Sequence, residues 1–328
     1  MQIFEPTIST QTILDELGDV TMVDYFFETV SRHPDRLALR AKTAEDGSDT
    51  DKVGDFTTEP DEIGNSWRTY TWGQYGDAAA RFANALTGLG VQADDRVMLL
   101  LRNCPAFHIC DVGTMIHGAT PVSIYHSSSP DQIKYLIDHS GASVLVAEHP
   151  AFCDRIAEIA HDLDSLKHLI VVEDPATLSE ATQEALSTIS VHYLNDLVAH
   201  ATAGSASEAR NDTTPEDYAT IIYTSGTTGP PKGVALTQSN IAFTVDSLVR
   251  RIAMDPDGWR VVSYLPMAHI AERMVSHYLG MRYGWSLTCC PDATLVSQYL
   301  GPTKPNALFA VPRIWEKAYG TINALVDG

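Results

Sequence analysis

From Tyr223 to Asn240 the chain reads YTSGTTGPPKGVALTQSN, and its first ten residues hold most of the groups that could do chemistry. Thr224, Ser225, Thr227 and Thr228 bring hydroxyls, Gly226 and Gly229 free the backbone, and Lys232 brings a mobile positive charge. Glycine allows the dihedrals that turn successive N–H groups toward one side, and such concave backbone surfaces hold anions. The apolar run YATIIY before the loop reads as a buried strand, which delivers the donors from a fixed point. The chemistry served is the holding of phosphate oxygens, with Lys232 on the outermost ones. Other patterns fail on spacing. GxxxxGK must be followed by Ser or Thr, whereas Pro231 precedes Lys232 and Gly233 follows it. Neither GxGxxG nor the GxSxG nucleophile elbow fits the segment. The plain alternative is a flexible Gly/Thr turn with an exposed lysine.

His269, in LPMAH, is the second candidate, and its plain alternative is a histidine that only starts a helix. Taken with Glu272 and His277 it gives separations of three, five and eight residues, which fit no standard zinc pattern. Trp259, Tyr264, Met267, Met274, Tyr278 and Trp315 could wall an apolar tunnel, but core packing accounts equally for each. Cys104, Cys110, Cys153, Cys289 and Cys290 are odd in number and contain no CxxC pair, so they read as buried thiols in a reducing compartment.

The elements that must position these groups lie in a chain of 328 residues with 42 acidic and 22 basic side chains and a formal charge of −20. Such a balance repels nucleic acid unless a basic cluster is present, and the sequence has none. No apolar run reaches the length of a membrane span and the N-terminus lacks a signal-peptide pattern, so the expected location is cytoplasmic. Thr71 and Gln74 form a capping box for a helix that Gly90 stops; Ser129, Pro130 and Gln132 do the same for one ending near Gly141. Asn103 with Pro105 announces a helix ending near Gly118. RVMLLL, TPVSIY, SVLVAE, LKHLIVVE and YATIIY read as strands between these helices, and RVVSYLP, SLTCC and NALFAV continue the series. Such alternation predicts an α/β fold of stacked, mostly parallel sheets covered by helices. Residues 1–70 are expected to form an N-terminal segment, with a polar acidic surface loop over 41–66. Residues 71–237 then make a first α/β subdomain ending in the phosphate-binding loop, and 238–328 a second, incomplete one.

YTSGTTGPPKGV resembles the phosphate-binding signature of the adenylate-forming enzymes. SYLPMAHIAER, LFAVPRIWEK and GATPVSIYHSSSPDQIKYLIDHSGASVLVAE are similar to the long-chain fatty acid CoA ligase branch. The resemblance runs from about residue 20 to the end and implies ATP, Mg²⁺ and coenzyme A as reactants. The family joins a carboxylate to the α-phosphorus of ATP, releasing pyrophosphate, and a thiol then displaces AMP. It implies that Thr224, Ser225, Gly226, Thr227, Thr228, Gly229 and Lys232 bind the nucleotide, and that Thr228 holds the outer phosphates or their magnesium. Lys232 would follow the pyrophosphate, and His269 would stand where acyl and nucleotide sites meet. The family's YGxTE and TGD motifs and the lysine of its small C-terminal lid domain do not follow Trp315, so the lid is expected to be absent and the isolated chain to have little activity. An exposed sheet edge or helix face would give a reason to dimerise. Loading of a carrier-protein thiol, a non-enzymatic nucleotide-binding role and peripheral membrane contact remain open.

Overall fold

The computed structural model describes residues 9–43, 53–61, 66–201, 213–224, 229–252, 255–312, 314–316, 319–320 and 323. In chain order its strands are β1 (Leu37–Lys42), β2 (Thr57–Pro60), β3 (Ser66–Thr71), β4 (Arg96–Leu100), β5 (Thr120–Ser123), β6 (Val144–Ala147), β7 (His168–Val171), β8 (Ser190–Tyr193), β9 (Tyr218–Thr224), β10 (Lys232–Thr237), β11 (Arg260–Ser263) and β12 (Ser286–Cys289). Among the described residues they form a seven-stranded sheet in the order β10-β9-β5-β4-β6-β7-β8 and a five-stranded sheet in the order β11-β12-β1-β3-β2. The larger sheet is parallel except for β10, which returns antiparallel along β9. In the smaller sheet β11, β12 and β1 run parallel, while β3 and β2 add antiparallel pairs.

Residues from both ends of the described chain meet in the smaller sheet, where Leu39 pairs with Leu287 and Ala41 with Cys289. Between the sheets lies the helix Pro105–His117, every residue of which is buried. It packs on β4 and β5 of one sheet and on β1 of the other. Its neighbour, the helix Trp72–Gly88, comes so close that a side chain on Gly113 would stand 2.6 Å from the Ala79 carbonyl oxygen. A helix buried on every face needs such a middle layer, and its polar side chains, such as Asp111, must find their partners inside it. The far face of the larger sheet is covered by the helices Pro130–Ser140 and Pro150–Ala157, which bury Ile133, Ile137, Cys153 and Ile156.

Both predicted capping boxes form, Thr71 with Gln74 and Ser129 with Gln132. All five cysteines are buried, and no disulfide joins them among the described residues. No helix among the described residues is long and apolar enough to cross a membrane. Three expectations change. Within 41–66, Thr57–Pro60 is a strand rather than loop, because the buried strand β3 offers it a hydrogen-bonding edge; residues 44–52 and 62–65 lie outside the described residues. Asn103 does not cap the helix it announces: Cys104 occupies the cap position, and the Asn103 amide instead donates to Ser263 Oγ and the Leu265 carbonyl, both at 2.9 Å. NALFAV forms no strand among the described residues; Leu308 packs against Val262 and Tyr264, whereas Phe309 and Val311 are exposed.

Candidate nucleotide site

Thr224 is the last residue of β9 and Lys232 the first of β10, and the two face each other in the ladder. The antiparallel return thus brings both ends of the candidate loop together at the edge of a parallel sheet. Gly229 has φ +93 with open space around it, so the backbone turns in the left-handed region and no side chain narrows the mouth. Lys232 is exposed. Ser225, Gly226, Thr227 and Thr228 lie outside the described residues, and with them the predicted magnesium position.

His269 follows β11 and starts the turn Ile270–Glu272, where its Nδ1 accepts the Ala271 N–H at 3.1 Å. The ring is exposed, and among the described residues no hydrogen bond joins it to Thr224 or Lys232. Its neighbours are tied inward: beyond it the chain widens into a π-helix, Arg273–Tyr278, a geometry that often marks functional segments.

That π-helix anchors a fully buried network. Arg273 Nη2 donates to Asp111 Oδ2 at 2.6 Å and to the Tyr278 hydroxyl at 2.8 Å, while Nη1 donates to Ser123 Oγ at 2.6 Å. His277 Nε2 donates to Asp111 Oδ1 at 2.9 Å, which leaves its Nδ1 bare to accept from His108 Nδ1 at 2.9 Å. His108 Nε2 is then a buried acceptor with no hydrogen-bond partner. Burial pushes the Asp111 carboxyl up, but Arg273 and His277 outweigh it and hold it below the usual range. Burial, the His277 ring and Arg273 keep His108 neutral. One turn earlier Glu272 is equally buried but faces no cation; burial raises its pKa to about 7, and hydroxyls of Ser263 and Ser276 only moderate the rise.

Sequence reasoning missed a crevice of about 500 Å³ lined by Arg102, Asn103, His126, His149, Phe152, Tyr264, Pro266 and Asp292. It lies beyond the carboxyl ends of β4, β5, β6, β11 and β12, the position at which open α/β sheets hold ligands. Glu148, buried behind it, accepts from Arg102 Nη2 at 2.7 Å and from the Arg102 backbone at 2.7 Å, fixing the guanidinium at the rim. The available signal was the polar RN immediately after the apolar strand VMLLL. No cluster of three metal-ligating side chains occurs among the described residues, so His269, Glu272 and His277 form no metal centre.

The sequence profile of the AMP-binding enzyme family matches residues 26–324. The long-chain-fatty-acid–CoA ligase ACSBG2 of Gallus gallus is 31% identical over 274 residues, 81% of this chain and 35% of the relative. The long-chain-fatty-acid–CoA ligase FadD15 of Mycobacterium bovis is 31% identical over 268 residues, 79% of this chain and 41% of the relative. This chain therefore spans little more than a third of the relatives' length. In fold it is similar to the adenylation domain of a carboxylate reductase from Mycobacterium chelonae, with TM-score 0.72 and 20% identity over 97% of this chain and 50% of that one. The match to the family profile over nearly all of the described fold, with β9 and β10 bracketing the glycine-rich loop, places the chain in the AMP-binding enzyme family.

Proposed function

We propose that this chain carries the nucleotide-binding part of an ATP-dependent fatty acid–CoA ligase. In that reaction a carboxylate oxygen attacks the α-phosphorus of ATP, the new acyl–O–P bond forms, and the bond to pyrophosphate breaks; the thiol of coenzyme A then displaces AMP. The reading rests on the β9–β10 hairpin, which sets Thr224 opposite Lys232 at the two ends of a hydroxyl- and glycine-rich loop. Open space at Gly229 and an exposed lysine at the exit fit a triphosphate and the magnesium it carries. Magnesium supplies charge neutralisation when bound, with Thr228 as its protein hydroxyl. Lys232 holds the outer phosphates as they depart, and the loop hydroxyls of Thr224, Ser225 and Thr227 hold the rest. His269, with its turn fixed by Pro266 at the crevice wall, shapes the end of the site that receives the acid. The fatty acid preference is supported by the similarity to ACSBG2 and FadD15. Each buried methylene contributes about 0.8 kcal/mol, so tunnel length would set chain-length choice.

Titration calorimetry with MgATP tests the nucleotide assignment: the chain binds it, and no heat of binding at millimolar ligand would sink it. Carboxylate-dependent exchange of labelled pyrophosphate into ATP, run over acids of increasing length on the chain extended to the full length of its relatives, tests the choice of acid. A maximum at long acyl chains is expected, and a flat profile would remove the fatty acid part.

A further inference from the structure

The loop is held from outside by a single helix. Tyr223 stands immediately before Thr224, and its hydroxyl shares a hydrogen bond of 2.8 Å with His139 Nδ1. Pro231 stands immediately before Lys232, and its carbonyl accepts from the Tyr135 hydroxyl at 2.8 Å. Tyr135 and His139 are four residues apart on the helix Pro130–Ser140, so they project from one face. Their ring centroids lie 5.4 Å apart, with the planes tilted by 34°. The entering limb and the leaving limb of the loop are thus tied to adjacent turns of one rigid element, which is itself fixed by a capping box and by buried Ile133, Leu136 and Ile137.

A second observation comes from the hairpin. Gly233 pairs with Tyr223, and a side chain at Gly233 would stand 3.3 Å from the Tyr223 ring and 3.0 Å from Ile221 Cγ2. Its absence lets the Tyr223 ring lie against β10 while its hydroxyl reaches His139. The ring packs edge-on to the imidazole, with centroids 5.6 Å apart at 79°. Neither hydrogen bond is needed to close the β9–β10 ladder, whose register runs unbroken from Thr220 to Thr224. Their effect is to tie the loop-side ends of β9 and β10 to the helix that covers the sheet.

We infer that Tyr135 and His139 are positioning residues for triphosphate binding: they act as a two-point clamp that holds the strand ends at Thr224 and Lys232 in a fixed position against the helix Pro130–Ser140. The inference rests on the nucleotide reading given above. Because the clamp sets the position of Lys232, the group assigned to the outer phosphates, directly through Pro231 and across the ladder from Tyr223 and Thr224, its loss weakens ATP and spares a ligand without those phosphates.

The test is calorimetric binding of MgATP and of AMP to the parent, Tyr135→Phe, His139→Ala and His139→Asn, with the thermal midpoint of each. Tyr135→Phe keeps the ring and removes only the donor to Pro231. We expect it to lower MgATP affinity about five- to tenfold, in line with one lost hydrogen bond, with AMP affinity and thermal midpoint unchanged. His139→Ala shows the same selective loss, and His139→Asn, whose amide oxygen can accept near the position of Nδ1, recovers part of it. Equal MgATP affinity in the parent, Tyr135→Phe and His139→Ala overturns the clamp while leaving the nucleotide reading intact. Parallel loss of ATP and AMP, or a fallen thermal midpoint without the recovery in His139→Asn, assigns both residues to folding alone and also overturns it. No MgATP binding by the parent overturns the nucleotide reading, and the clamp with it.

Discussion

Two polar regions of the molecule are built in opposite ways. Around Asp111, Arg273 and His277, polar groups are sealed between the two sheets and answer one another, with Arg273 donating to Asp111, Ser123 and Tyr278. At the β9–β10 hairpin the backbone is paired but Lys232 and Gly229 face solvent. A polar group whose bonds are all spent internally can fix a structure, whereas one left open to solvent can receive a ligand. The difference separates residues that look equally chemical in the sequence: Glu272 and His277 are in the frame, and Thr224 and Lys232 are at the open hairpin proposed as the nucleotide site. His269 lies between them in chain and in character, exposed yet engaged as a helix start.

The comparison breaks first in the network. Arg273→Met leaves Asp111 buried without its principal counter-charge, and a loss of about 3–5 kcal/mol in unfolding free energy is expected. Denaturant titration measures it; a loss below about 1 kcal/mol would show that water or relaxation compensates Asp111, and the division between frame and site would fall.

Glu272 sharpens the point because it is buried like Asp111 but unpaired with a cation. Its raised pKa of about 7 means that the folded protein holds a proton which the unfolded chain has released. Stability from this group is therefore fully present below its ordinary value of 4.5 and is lost as pH rises through about 7. Glu272→Gln should match the parent near pH 5 and exceed it by roughly 3 kcal/mol near pH 8. Asp111 acts with the other sign, its contribution being lost as pH falls through its lowered pKa. A constant difference between parent and Glu272→Gln across this range would mean that Glu272 is charged throughout.

What the sequence made legible was local. Thr71 with Gln74 and Ser129 with Gln132 state their helix starts in four residues, because a capping box is satisfied within its own turn. The AMP-binding family was legible for the same reason, since glycine, hydroxyl and lysine spacing is a property of one segment. The Asp111–Arg273 pair spans 162 positions, and Asn103 reaches Ser263 across 160. Nothing in either local pattern names its partner. Asn103 with Pro105 announces a helix, which forms, but only the meeting of the two sheets takes the Asn103 amide to Ser263 and Leu265. The crevice was missed on the same ground, as its walls come from the ends of strands in both sheets.

On the open side, Lys232→Ala should lower MgATP affinity tenfold or more while the unfolding midpoint stays within the scatter of surface substitutions. Unchanged affinity would return the segment to an ordinary turn with an exposed lysine. The smallest effect is expected at His269, where the two descriptions compete. As a helix start alone, His269→Ala costs about 1 kcal/mol or less of stability and leaves acid-dependent exchange unaltered. As a group that also shapes the acid site, it lowers the rate of exchange at saturating ATP without moving MgATP affinity, because its ring is bonded neither to Thr224 nor to Lys232. Measuring stability, nucleotide affinity and exchange rate on the same variant separates the two, and His269 belongs with the site only if the exchange rate alone falls by more than the stability loss explains.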